Sequence, residues 1–357
     1  MKIANIIITS QDGGAEQVFL DYAGILKKLG HEVVAVVKQD APYAHKLLQC
    51  GIETKKINNR FGYHDFFAIK KLSKILAQEN VDVVFAHSSK ATILARKAIK
   101  KIKDKKIFLI SINHSMNVKR SIGSDLILSV NKQIFYKTID AGQAAEKSFV
   151  IHNATDLQDA ILQAPNVDLS QKTEINLGVI GRLDFNKGFH HAINALAELQ
   201  KISDKKFILK IAGEGKEEKA LREHVKSQLL EDKVEFVGWQ KDKKKFYESI
   251  DILLVPSLNE TFGLVVVEGI KYRKPIISSN AHGPREILRD GVDGLFFNVE
   301  ESDEEIAKEM ANIILKIVSE TALTTSMIAN SFARLNEKFS YEALEKRLAE
   351  IVGNISK

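Results

Sequence analysis

The stretch NETFGLVVVEG, Asn259 to Gly269, admits two readings. Its apolar centre, Leu264 to Val267, resembles a buried strand, and periodicity over so short a run does not separate strand from buried helix. Its surroundings decide. Pro256 and Ser257 close the β-branched run Ile252 to Val255, so Asn259 to Phe262 lie in a loop and a helix starts near Gly263, reaching about Tyr272 before KPIIS. Glu260 then sits just outside the helix N-terminus and Glu268 one to two turns in, roughly 5 to 10 Å along the axis. Two carboxylates so placed can hold two parts of one elongated ligand, with the amides of Phe262, Gly263 and Leu264 between them suited to an anion. The plainer reading has both charges mark where a buried segment meets water.

As a helix, the stretch continues a pattern that runs through the chain: short β-branched runs alternate with longer amphipathic segments, as in parallel sheets covered by helices. The first half has strand candidates at Ile3 to Thr9, Val33 to Val37, Val81 to Ala86, Ile107 to Ile112, Leu126 to Ser129 and Phe149 to Ile151. The second has Ile175 to Ile180, Phe207 to Ala212, Val234 to Val237, Ile252 to Val255, Ile276 to Ser278 and Leu295 to Phe297. Two comparable sets in 357 residues predict two doubly wound α/β domains, 1–165 and 166–335, followed by a helix in 336–357 that packs back toward the first. The polar stretch Thr155 to Glu174, which contains Pro165, is the expected linker.

A single cysteine, Cys50, excludes an intrachain disulfide framework and is in keeping with a reducing cytoplasm. The start, MKIANIIITSQDGG, is too short in its apolar part for a signal segment and reads as a first strand. No run approaches the roughly 18 apolar residues of a spanning helix. The net charge of +6 is unevenly distributed: residues 1–170 hold 24 Lys and Arg against 16 Asp and Glu, the remainder 28 against 30. The densest basic run lies in Ala91 to Lys106, with apolar residues at helical spacing and Lys or Arg on the other face. It is either a solvated helix face or a surface for anionic lipid head groups or a phosphorylated acceptor. Nucleic acid is the poorer partner, because no aromatic residues are interleaved with these charges.

Open parallel sheets bind ligands beyond the carboxyl ends of their strands. After the first strand, Gly13 and Gly14 open a helix whose amide end faces outward. In VIGRLDFNKG, Gly181 ends a strand, and Arg182 and Lys187 flank a turn into a helix, so two cations can converge on a diphosphate. Gly213 and Gly215 in AGEGKEE and Gly238 in FVGWQKD let backbone approach a flat or phosphorylated ligand. Trp239 is expected to pack. No G-x-G-x-x-G dinucleotide fingerprint occurs.

The run ETFGLVVVE resembles the E-x7-E signature of retaining glycosyltransferases of family four, which have the GT-B fold. GGAE, a strand-end His, GRLDFNKG, AGEG, VEFVGW and GPREIL accompany it in family order, so the resemblance spans essentially the whole chain. It implies two Rossmann-like domains facing across a cleft, a nucleotide-diphospho-sugar donor held mainly by the second, a glycan or glycolipid acceptor held mainly by the first, and transfer with retention. By resemblance, Glu268 takes the ribose hydroxyls, Glu260 the donor sugar, and Arg182 with Lys187 the diphosphate. Gly14 lets a loop close over the phosphates, and Gly213 and Gly238 line the base and ribose. His114 resembles the family's active-site histidine; His87, also at a strand end, competes for the acceptor role. No D-x-D occurs, and neither cofactor nor metal is expected. The implied location is cytoplasmic, at the inner face of a membrane. HNATD, His152 to Asp156, lacks the Pro and Gly usual in the family's corresponding loop. A GT-B nucleotide-sugar epimerase and a non-catalytic sugar-nucleotide-binding protein are the alternatives.

Overall fold

The structure, a computed structural model, describes residues 1–11, 13–161 and 168–355. It divides into two compact units, Met1–Ala154 with Tyr341–Lys357, and Thr155–Ser340. Pro165 and the expected boundary beside it lie outside the described residues.

The first unit is built on seven described strands: β1 Lys2–Ile7, β2 Glu32–Lys38, β3 Glu53–Ile57, β4 Val83–His87, β5 Phe108–Asn113, β6 Leu126–Ser129 and β7 Ser148–Val150. All pair in parallel, in the order β3-β2-β1-β4-β5-β6-β7. Helices α1 Gly14–Lys28, α2 Ala44–Gln49, α3 Phe66–Gln78, α4 Ser89–Ile99 and α5 Lys132–Asp140 connect them. Because helices cover both faces, the central strands read as near-continuous apolar runs. Ala4, Ile6, Val34, Val36, Val84 and Ala86 meet Leu72, Leu76, Leu94 and Ala95 of α3 and α4 in one core.

Strand β3, ETKKI, escapes the sequence reading because it is an edge strand and mostly polar. Lys55 on it pairs with Glu53 at 2.7 Å and Glu79 at 2.9 Å, the charged finish that keeps an open edge from recruiting another chain.

The second unit has six described strands: β8 Glu174–Ile180, β9 Lys206–Ala212, β10 Val234–Gly238, β11 Ile252–Val255, β12 Ile276–Ser279 and β13 Leu295–Phe297. They too are parallel, ordered β10-β9-β8-β11-β12-β13. Its helices are α6 Phe189–Ile202, α7 Glu218–Ser227, α8 Lys243–Glu248, α9 Leu264–Lys271, α10 His282–Ile287, α11 Asp303–Ser319 and α12 Thr321–Lys338. The stretch that opened the sequence reading is thus a helix, α9. The polar segment 155–161 belongs to this unit: the Ile161 N–H donates to the Lys271 carbonyl, and the Lys271 ammonium meets Asp159 at the end of α9. A last helix, α13 Tyr341–Ile355, belongs to the first unit, where the Tyr341 hydroxyl donates to Asp21 on α1 at 2.5 Å and Lys28 pairs with Glu345 at 2.6 Å.

In both sheets the strand order reverses direction beside the first strand, between β1 and β4 and between β8 and β11. Such a switch point leaves a crevice at the strands' carboxyl ends. Among the described residues no helix is long and apolar enough to cross a membrane.

Candidate active site

In the second unit, the chain leaving β8 passes Gly181 and Arg182 into a 3-10 turn, Phe185–Lys187, and then α6. The chain leaving β11 passes Pro256 and Ser257 to Glu260 and then α9. These two connections flank the switch point, and there the Lys187 ammonium donates to Glu260 Oε2 at 2.6 Å. Both side chains are largely buried, 27% and 15% exposed. Arg182 is exposed and has no ion-pair partner among the described residues. The expected Arg182–Lys187 clamp is therefore one paired and one unpaired cation.

Four residues into α9, roughly 6 Å along its axis, Glu268 is held at both oxygens. Oε1 accepts from Lys243 at 2.5 Å and Oε2 from the Tyr247 hydroxyl at 3.0 Å. Tyr247 is wholly buried and stacked on Tyr272, with centroids 5.1 Å apart. Burial, and then the Glu268 charge, push its phenol well above its ordinary value, so it remains a donor. Lys243 and Tyr247, which hold Glu268, were not singled out from the sequence. The basic-aromatic run DKKKFYE ahead of β11 was the available signal.

Glycines lace the strand ends together. The Gly181 N–H donates to Ala212 at 3.0 Å, and the Gly213 N–H to Gly238 at 2.8 Å. Gly213 has φ +129°, and a Cβ there would lie 1.8 Å from the Gly181 carbonyl oxygen, so no side chain fits. Gly263, φ +97°, caps α9 in the left-handed region, followed by Leu264 as its first residue. Phe262 is buried and meets Phe339 edge-on, 6.0 Å between centroids. Trp239 corrects an expectation: it is 52% exposed, in the position directly after the edge strand β10.

In the first unit, Gly14 is the first residue of α1, the helix that follows β1 in the chain. His87 ends β4, and His114 follows β5. Their rings stack at 5.4 Å, with His87 Nδ1 and His114 Nε2 3.2 Å apart, so one nitrogen donates and the other accepts. His87 has no exposed surface, being enclosed edge-on by Phe19 at 5.5 Å and Tyr22 at 5.0 Å. With no exposed surface, His87 does not offer the direct acceptor contact expected of it, whereas His114, to which it is hydrogen-bonded, is partly exposed. Burial holds His87 well below its ordinary value and His114 at about 4, so both are neutral near pH 7.

No residue of 152–156 has positive φ, so the HNATD loop needs no glycine. Thr155 instead bridges to Ser340, its N–H donating to the Phe339 carbonyl at 2.9 Å. Elsewhere in the second unit His190, His191 and Asp303 bring possible metal-ligand atoms within 4.8 Å of one another. The sequence spacing does not reveal this grouping, since Asp303 arrives from α11.

The model for Glycosyltransferase Family 4 matches residues 12–159, and that for Glycosyl transferases group 1 matches residues 163–331. The lipopolysaccharide core biosynthesis glycosyltransferase LpsE of Rhizobium meliloti is 23% identical over 96% of this chain and 97% of its own. An alpha-1,4-N-acetyl-D-galactosaminyltransferase of Campylobacter jejuni, named for a diNAcBac-PP-undecaprenol-linked glycan, is 27% identical over 87% and 92%. Among solved structures, Anabaena HepE in complex with UDP-glucose superposes with a TM-score of 0.84 at 23% identity, covering 99% of this chain and 100% of that one. With the two models meeting its two halves in order and the same architecture end to end, the chain belongs to the glycosyltransferases of the GT-B fold, family four in its first half and group one in its second.

Proposed function

We propose that the protein transfers a sugar, with retention and without a metal, from a nucleotide-diphospho-sugar to a hydroxyl of a glycan or glycolipid in bacterial lipopolysaccharide-type synthesis. The observation that carries this reading is the Lys187–Glu260 pair across the switch point of the second unit, with unpaired Arg182 on the same connection. The Glu260 carboxylate keeps the Lys187 ammonium in place. With donor bound, Lys187 and Arg182 neutralise the diphosphate, where charge grows as the bond from the anomeric carbon to the phosphate oxygen breaks. Glu260 is then left to the sugar hydroxyls. Glu268, oriented by buried Tyr247, exchanges Lys243 for the ribose hydroxyls.

The acceptor oxygen forms its bond to the anomeric carbon on the face the phosphate leaves, and its proton passes to the departing phosphate oxygen. Neutral His114, backed by His87, exchanges hydrogen bonds with a sugar hydroxyl without adding charge. No D-x-D is available in the chain to place a divalent ion on the diphosphate. The UDP-glucose bound to HepE supports the donor class, and the undecaprenol-linked glycan in the Campylobacter relative's name supports a lipid-carried acceptor, for which we place the protein at the inner, cytoplasmic face of a membrane. A thermal-shift screen of nucleotide sugars identifies the donor, since a ligand bound only by the native state raises Tm. The anomeric configuration of the product, read by NMR, and transfer measured in a chelator then test the mechanism: inversion refutes retention, and loss of transfer in chelator refutes metal independence.

A further inference from the structure

The chain leaving β3 makes a loop, residues 58–65, that ends at the cap of α3. Phe61, Phe66 and Phe67 on this loop and the first turn of α3 are 69%, 58% and 73% exposed. Scattered exposed apolar residues are ordinary, whereas three exposed phenylalanines within seven positions, two of them with ring centroids 6.1 Å apart, concentrate apolar surface in one short stretch. The loop is held in place. Asp65 caps α3, accepting from the Ala68 N–H at 3.0 Å, and also accepts from the N–H groups of Arg60 at 2.7 Å and Phe61 at 3.0 Å. Lys97 of α4 donates to the Tyr63 carbonyl at 3.1 Å, and the Arg120 guanidinium lies over the Tyr63 ring at 4.3 Å.

The two chain segments that carry and adjoin these rings are strongly basic. Residues 60–74 hold four Lys or Arg and residues 88–103 hold six, against one acid, Asp65, which is buried on backbone amides. Lys70, Lys71 and Lys74 follow the phenylalanines along the exposed face of α3, and Lys100, Lys101 and Lys103 lie exposed beyond α4. The Lys101 ammonium sits 5.2 Å from the Phe66 centroid. The aromatic residues missing from the basic run in sequence are therefore supplied in space by a different element.

We infer that Phe61, Phe66 and Phe67 form a wedge that enters the head-group boundary of an anionic membrane, with the lysines of α3 and of the α4 region on the lipid phosphates. The chemistry favours this over nucleic acid. Phenylalanine has no polar edge to leave in water, and three rings carried on a fixed turn beside cations match the interfacial requirement for apolar insertion together with electrostatic attraction. The inference deepens the reading above, in that it rests on a lipid-carried acceptor and supplies the surface that brings the enzyme to it.

The test uses the full chain in vesicle flotation, with phosphatidylcholine alone or mixed with phosphatidylglycerol. The wild type floats with the mixed vesicles. The variant F61S/F66S/F67S loses about tenfold or more of that binding, while its Tm and its stabilisation by the donor are unchanged, because these side chains are exposed. Phe67→Trp keeps binding, and its added fluorescence shifts to the blue on mixed vesicles, beyond any change of Trp239 in the wild type. Three results overturn the inference: equal flotation of the triple variant, no blue shift, or tighter binding to single-stranded oligonucleotides than to vesicles. Flotation without transfer to any lipid-carried acceptor leaves the wedge standing and refutes the acceptor reading; transfer to such an acceptor in detergent without flotation does the reverse.

Discussion

Lys187 and Glu260 lie 73 residues apart in sequence and meet at 2.6 Å where the strand order of the second sheet reverses. One comes from the connection after β8 and the other from the connection after β11. The pair joins the cation expected at the diphosphate to the carboxylate expected at the sugar. Each is the other's counter-ion.

Lys187→Ala should therefore act on catalysis more than on folding. Loss of a fixed cation facing the leaving group is expected to lower kcat by about a hundredfold or more. Glu260→Gln should keep donor-induced stabilisation but lower transfer. Steady-state kinetics with the donor found by thermal shift reads both, and wild-type turnover by either variant would remove them from the site.

Tyr247 touches Glu268 and is fully buried, so it acts as a positioning residue. Tyr247→Phe should raise the donor KM about tenfold, the scale of one hydrogen bond to a charged acceptor, with kcat nearly unchanged. Lys243→Ala should leave Tm almost where it was, because a half-exposed pair contributes about 1 kcal/mol or less. An unaltered KM in Tyr247→Phe would show that Glu268 needs no help in finding its orientation.

Gly213 and Gly238 both have positive φ, +129° and +67°, but only Gly213 faces a carbonyl oxygen where its Cβ would go. Gly213→Ala should cost about 3 kcal/mol or more, since backbone must move, and Gly238→Ala about 1 kcal/mol. Thermal melts of the two variants, with and without donor, compare them directly. Equal shifts would contradict the packing described for the strand ends.

His114 and His191 titrate at about 4 in the folded chain because burial disfavours their charged forms, and His87 is likewise depressed. Below about 6.5 the unfolded chain takes up these protons and the folded chain does not. The unfolded state then binds more protons, so stability rises with pH across this window and is lost as pH falls from about 6.5 to about 4. Urea unfolding at steps through the window should show that slope. His114→Gln should flatten it, which separates the imidazole from carboxylates that act in the same direction. A slope identical to wild type would place the His114 titration elsewhere.

Much was legible in the residues. Twelve strands, their alternation with helices and the helical reading of Leu264 to Lys271 follow from apolar runs and from Pro256 and Ser257, because buried parallel strands announce themselves by composition. That Glu268 falls inside the helix and Glu260 ahead of it was also legible, from the same punctuation. Strand β3 was not legible, since an edge strand held by neighbours needs no apolar run of its own. Nor could the sequence reveal that Lys187 closes on Glu260, that Lys243 and Tyr247 hold Glu268, that His87 lies beneath His114, or that Phe66 sits under Lys101. Each of these joins residues tens of positions apart, and such pairings are set by strand order and helix packing, which local periodicity does not encode. Pattern along the chain specifies elements; only their arrangement in space decides which charges meet.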